Sequence, residues 1–289
     1  MWSHVMARSQ WVTLRAQWLG QQLRSLREEN GMLIKEVAEY LERDPGTVSR
    51  YETGVYPIHS PELLKLLDLY RVADEHRRFS LLKLSEEAWQ KGWWDGYAPD
   101  LAEWFSDYIW LESRADHIQM FDNVVFPGLL QTEEYGEAAM RTTAWDADDE
   151  SIRRMLELRM TRKAILAKPK PPRISVILDE ALLRRPSGSP KVFVAQLRYL
   201  AECAERPNTD VRVLPFKAGL HPSHTGAFKI FTMPEPFPRI AHADTLQGAV
   251  YIESPQCDRL VEAYDRLHTL SLGPADSVEL ISAVAEELE

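Results

Sequence analysis

The chain has 289 residues, 45% of them apolar, with 34 Lys and Arg against 44 Asp and Glu and a net charge of −10. That length buries a sizeable core in one to three domains, and the absence of a long uncharged apolar run argues against a membrane span. The N-terminus MWSHVMARSQWVTLRAQW does not read as a secretory signal, and Cys203 and Cys257 without a C-x-x-C suit a reducing cytoplasm and exclude a four-cysteine zinc module.

In chain order, Trp2, Trp11 and Trp18 with Arg8 and Arg15 suggest an N-terminal extension over 1–18, an added helix or a dimer arm. Gly20 to Asn30 then reads as a helix with Leu23 and Leu26 on one face and Gly31 at a left-handed stop. Leu33 to Gly54, LIKEVAEYLERDPGTVSRYETG, reads as two short helices joined by a tight turn. Val37, Ala38 and Leu41 give the first its apolar face. Asp44 supplies an N-cap for the second and Pro45 fits its first position. Gly46, Thr47, Ser49 and Arg50 then face outward, with Val48 and Tyr51 inward, which is the shape of a helix that enters the DNA major groove. Ser60-Pro61-Glu62 starts a fourth helix with Leu63, Leu64, Leu67 and Tyr70 apolar, and Asp74 opens a fifth towards Trp89. Residues 19–91 therefore form an all-α helix-turn-helix bundle.

Gly92-Trp93-Trp94-Asp95-Gly96-Tyr97-Ala98-Pro99 breaks the helical pattern and marks the junction to a second domain, 92–289. Helices are predicted over 100–116, 133–141, 150–166, 192–204, 255–271 and 275–288, with strands at 118–121, 174–178, 211–214, 228–233 and 249–252. The two types do not alternate strictly, so the domain is expected to be α+β. The first 82 residues hold 11 basic and 11 acidic side chains, so the remainder carries 23 against 33 and the entire excess of acid. Such a protein binds random DNA weakly and needs a dimer and a specific site for useful affinity.

Residues 19–72 resemble the Xre, or Cro/repressor-type, helix-turn-helix domain, with Thr47 to Gly54 matching its recognition helix and the turn after it. Beyond the bundle the chain resembles the C-terminal domain of antitoxin-like actinobacterial regulators. The matching pieces are Gly92-Trp93-Trp94, Val125 to Glu133, Leu178 to Pro186 and Val213 to Phe216 with Gly219 and His221. The resemblance implies a cytoplasmic transcription regulator and a short partner protein encoded nearby. The chain departs from the Xre pattern where Leu33 and Ile34 replace a hydroxyl cap and Gln, where Glu42 replaces a turn Gly, and where Gly46 occupies a position that often reads a base.

The candidate DNA contacts are Arg50 to a guanine edge, Thr47 and Ser49 to bases or phosphates, Pro45 and Gly46 along the same surface, and Lys35, Arg43, Thr53 and Tyr56 as backbone anchors. No phosphate loop, nucleophile elbow or zinc-protease helix occurs, so no catalytic residues, metal or cofactor are expected and the protein is not read as an enzyme. His221, His224 and His242 as metal ligands, and Asp179-Glu180 before Arg184-Arg185 as acid and base, are the catalytic alternatives; a solvated loop and a capped, ion-paired helix are the favoured accounts. Trp93, Trp94, Tyr97, Trp104 and Tyr108, with Phe105, either line an effector pocket or pack the domains together. The expected protein is a homodimer on double-stranded DNA, controlled by a small partner protein. The alternatives are a ligand-sensing regulator and an enzyme fused to a DNA-binding domain.

Overall fold

The computed structural model describes residues 12–89, 92–100, 103–235, 237–246 and 248–289. It divides into two units, Met1–Trp93 with Glu235–Phe237, and Trp94–Pro234 with Pro238–Glu289.

Among the described residues the first unit is a five-helix bundle. Helix α1 (Leu14–Glu29) opens at Thr13, whose hydroxyl accepts from the Ala16 N–H at 3.3 Å. The helix therefore takes in residues 14–18, which the sequence reading placed in an extension. Leu14, Ala16, Trp18 and Leu19 are all buried, so the apolar stripe of α1 begins before Gly20. Arg15 is buried as well and donates to the Glu87 carbonyl at 2.8 Å. Trp2, Arg8 and Trp11 lie outside the described residues. Gly31 takes φ +66° at the stop, as its position predicts.

Helices α2 (Ile34–Leu41), α3 (Pro45–Glu52), α4 (Ser60–Leu69) and α5 (Glu75–Trp89) follow. Their core holds Val37, Ala38, Leu41, Val48, Tyr51, Leu63, Leu66, Leu67, Leu81 and Leu84. On α4 the inward stripe runs through Leu66, not Leu64, which is exposed. Counted from Ser60, the helical repeat places residues 63, 66, 67 and 70 on one side and turns 64 outward.

The second unit is built on a six-stranded mixed sheet in the order β3-β2-β1-β4-β5-β6. After α6 (Glu103–Arg114) comes β1 (His117–Asp122), then α7 (Glu133–Thr143), α8 (Asp149–Arg162) and β2 (Arg173–Asp179). The short α9 (Glu180–Leu183) and α10 (Pro190–Ala204) lead to β3 (Thr209–Leu214). The chain then runs β4 (Phe228–Thr232), β5 (Ile240–Thr245), β6 (Gly248–Glu253), α11 (Asp258–Leu270) and α12 (Pro274–Glu287). Strands β1, β2 and β3 are parallel, as the long helical crossovers between them require, and β4 to β6 form an antiparallel meander. The fold is thus an all-α bundle followed by an α+β domain.

Alternation along the strands gives the sheet two different faces. One carries Phe121, Ile177, Phe228, Ile230 and Ala241 against Tyr264 and Leu267 of α11. The other turns Phe231 and His242 to Tyr108 of α6, with ring centroids 5.6 and 4.9 Å apart. Strand β5 was not anticipated, because Ile240-Ala241-His242-Ala243 has weak β propensity and earns its place by pairing on both sides.

Candidate nucleic-acid interface

Helix α3 begins as its sequence dictates. The Asp44 carboxylate accepts from the Thr47 N–H at 3.0 Å and also from the Thr47 hydroxyl, and Pro45 occupies the first turn. These bonds, the hydroxyl's first, hold Asp44 below the usual carboxylate range. Gly46 belongs to the same device. A Cβ there would stand 2.8 Å from Asp44 Oδ1, so a larger residue displaces the capping oxygen. Its small size is explained by the cap as well as by any base contact.

The turn ahead of α3 shows what replaces the expected glycine. Glu42 adopts φ 57° and ψ 43°, and the Arg43 N–H returns to the Ala38 carbonyl at 2.9 Å. This is a left-handed helix stop made with a residue that is strained in that conformation. At the start of α2, the Leu33 N–H donates to Glu36 Oε2 at 2.7 Å. A carboxylate therefore covers part of the helix end that would otherwise offer N–H groups to a phosphate.

The seating of α3 rests on buried charge and close backbone approach. Arg27 of α1 grips Glu52 with two bonds, Nε to Oε1 at 2.6 Å and Nη2 to Oε2 at 3.0 Å, and donates to the Met32 carbonyl at 2.9 Å. The bond to Glu52 raises Arg27 above its ordinary pKa. Tyr51 donates to Glu62 of α4 at 2.8 Å, and burial followed by this bond pushes the phenol up to about 12. Gly20 lets α1 lie directly on the end of α3, since a Cβ there would fall 2.5 Å from the Glu52 carbonyl oxygen.

On this rigid helix Val48 and Tyr51 face inward, while Pro45 and Arg50 are exposed and Gly46, Thr47 and Ser49 half-exposed. The Arg50 guanidinium lies over the Tyr56 ring, 4.7 Å from its centroid, against the face of an exposed aromatic. Thr53 spends its hydroxyl on the Ser49 carbonyl at 3.0 Å. Arg43 pairs with Glu62 at 2.7 Å, so it reaches a phosphate only by exchanging that partner. Lys35 is exposed on the first turn of α2.

The effector residues read from the second domain differ in exposure. Trp93 is exposed, Trp94 buried, Tyr97 half-exposed, and the side chain of Trp104 lies outside the described residues. Tyr108 lines a cavity of about 480 Å³ walled also by Phe105, Asp122, Phe126, Arg159, Arg162, Lys229 and Asp244. Tyr108 points from α6 to the sheet. The missed residues left traces in the sequence. Lys229 interrupts an apolar strand, and Arg159 and Arg162 share one stripe of α8.

Of the catalytic alternatives, His221 and Asp179 meet, with Nε2 3.9 Å from Oδ2. His221 packs on Phe121, on the sheet face opposite to His242. Among the described residues no three His, Cys, Asp or Glu side chains gather as a metal requires. Asp179 caps α9 through the Ala181 N–H at 2.8 Å, and Glu180 pairs with Arg184 at 3.0 Å.

A capped second helix, seated by a buried ion pair and presenting small polar residues with one arginine, defines a helix-turn-helix DNA-binding domain. Residues 18–79 match a family model for the helix-turn-helix domain. Residues 105–283, more than half of the chain, match the domain of unknown function DUF5753, and the chain belongs to that family. No curated protein and no solved structure matches it. Among the described residues no helix is long and apolar enough to cross a membrane.

Proposed function

We propose that the protein is a sequence-specific transcription regulator of the Xre type, antitoxin-like, that binds DNA as a homodimer in the cytoplasm. The observation that carries this reading is the exposed edge of α3, where Arg50 stands beside Thr47 and Ser49 on a helix fixed by Arg27 and Glu52. Arg50 donates to a guanine edge in the major groove, and Thr47 and Ser49 contact the adjoining base or phosphate. Lys35, Thr53 and Tyr56 border the backbone path. Arg43 joins them when it leaves Glu62.

Zero net charge over the first 82 residues favours a specific dimer over loose binding to any duplex. The acidic second domain dimerises, receives a small partner protein encoded nearby, or does both, and carries no catalytic function. Partner binding changes the separation of the two recognition helices, and a shift of about 1–3 kcal/mol gives a five- to 150-fold change in affinity. Footprinting on the protein's own promoter tests the scheme. Two protected half-sites with centres about 34 Å apart are expected, and one isolated site, or protection independent of sequence, contradicts it.

A further inference from the structure

Asp122, the last residue of β1, is 7% exposed, and its Oδ2 has no hydrogen-bond partner. On a different wall of the same cavity, the Nε of Arg159 on α8 is also buried and unpartnered, while its Nη1 donates to Gln131 Oε1 at 2.6 Å. The other charges lining this cavity are met within the chain. Arg162 makes two bonds of 2.7 Å to Glu112, and Lys229 stands 3.5 Å from Asp244. What remains is one acceptor and one donor, both removed from water at the cost that unmade bonds to charged groups carry.

The position suits a ligand. The cavity opens at the carboxyl end of β1, where the parallel half of the sheet gives way to antiparallel β4. That is the kind of topological switch at which open sheets bind small molecules. Its volume of about 480 Å³ lies within the ordinary range for such sites. Val124 and Thr143 are exposed at its rim, and Phe105, Tyr108 and Phe126 supply apolar walls. A phosphate fits poorly, because its charge would meet the Asp122 carboxylate while Arg162 and Lys229 are already engaged by Glu112 and Asp244.

We infer that this cavity binds a small zwitterion, an amino acid or short peptide with an apolar side chain, whose ammonium donates to Asp122 and whose carboxylate accepts from Arg159. The apolar side chain lies against Phe105, Tyr108 and Phe126. This site is separate from the DNA-reading surface and does not depend on it.

Isothermal titration of the full chain, with no DNA present, tests the inference using L-phenylalanine and glycyl-L-phenylalanine as probes. The two differ in the distance between ammonium and carboxylate, so the stronger one reports which span the walls accept. Phenethylamine lacks the carboxylate and 3-phenylpropionate lacks the ammonium. At least one zwitterion is expected to bind about tenfold or more tightly than both half-molecules. Asp122→Asn and Arg159→Gln should each weaken it by about tenfold or more, with Arg159→Lys recovering part of the loss. Near-UV circular dichroism identifies any variant that has lost its fold, in which case Asp122→Asn, the isosteric change, carries the test. No binding by either zwitterion at about 10 mM, or binding unaltered by Asp122→Asn, overturns the inference and leaves the cavity to water.

Discussion

The bundle and the α+β domain each bury one satisfied ion pair, and they differ in what stands around it. In the bundle, Arg27 and Glu52 satisfy each other with two short bonds, and the polar groups offered outward stand on the exposed edge of α3. In the α+β domain, Arg162 and Glu112 form a similar buried pair, yet Asp122 and Arg159 keep buried atoms without partners beside a cavity. A surface that reads DNA needs rigidity beneath exposed side chains. A cavity that takes a small molecule needs inward groups left open, at a cost to stability. The contrast matches the different work proposed for the two regions.

The largest effects should come from breaking the satisfied pairs. Arg27→Ala leaves Glu52 buried without its partner, and Arg162→Ala does the same to Glu112. Each is expected to lose about 3–5 kcal/mol in urea unfolding. A loss below about 1 kcal/mol at either place would mean that water reaches the pair, and the comparison would weaken.

A smaller effect of opposite sign is expected at Asp122. Burial first, then Asp244, raises its pKa from 3.8 to about 6 against the pull of Lys229. Tyr108 and Glu112 of α6, Arg162 of α8 and His242 of β5 are the other charged or titratable groups of this polar cluster. Between those two pH values the folded chain holds a proton that the unfolded chain has released. Stability from this group is therefore present below pH 3.8 and lost as pH rises through about 6. The whole profile also contains His117, which burial lowers to about 4 and which contributes with the opposite slope. The difference between wild type and Asp122→Asn isolates the carboxylate. The variant should gain on wild type by about 2–3 kcal/mol between pH 4 and 7, and parallel profiles would show a solvated Asp122.

The smallest change concerns the turn. Glu42→Gly removes a left-handed strain and should raise the melting temperature, by about 1 kcal/mol of stability at most. A fall instead would show that the Glu42 side chain supports the turn.

The reading helix was legible because its determinants are local. Asp44, Pro45, Val48, Arg50 and Tyr51 lie within one short segment, and cap, turn and burial follow from their spacing. Five of six strands were legible from β-branched runs, while β5 depends on neighbours supplied by pairing. The cavity was not legible. Its walls come from β1, α6, α8, β4 and β5, so Asp122, Arg159 and Lys229 meet only after the sheet is assembled. The Val125 to Glu133 motif was visible as a pattern, and the structure shows that part of it walls this cavity.

The central claim is that Arg50 on α3 reads DNA sequence. Gel-shift titration of wild type and Arg50→Ala, on the protein's own promoter fragment and on random duplex of equal length, measures it directly. The account predicts a loss of about 1–3 kcal/mol on the promoter with little change on random DNA. Equal loss on both duplexes, or none on either, would contradict it.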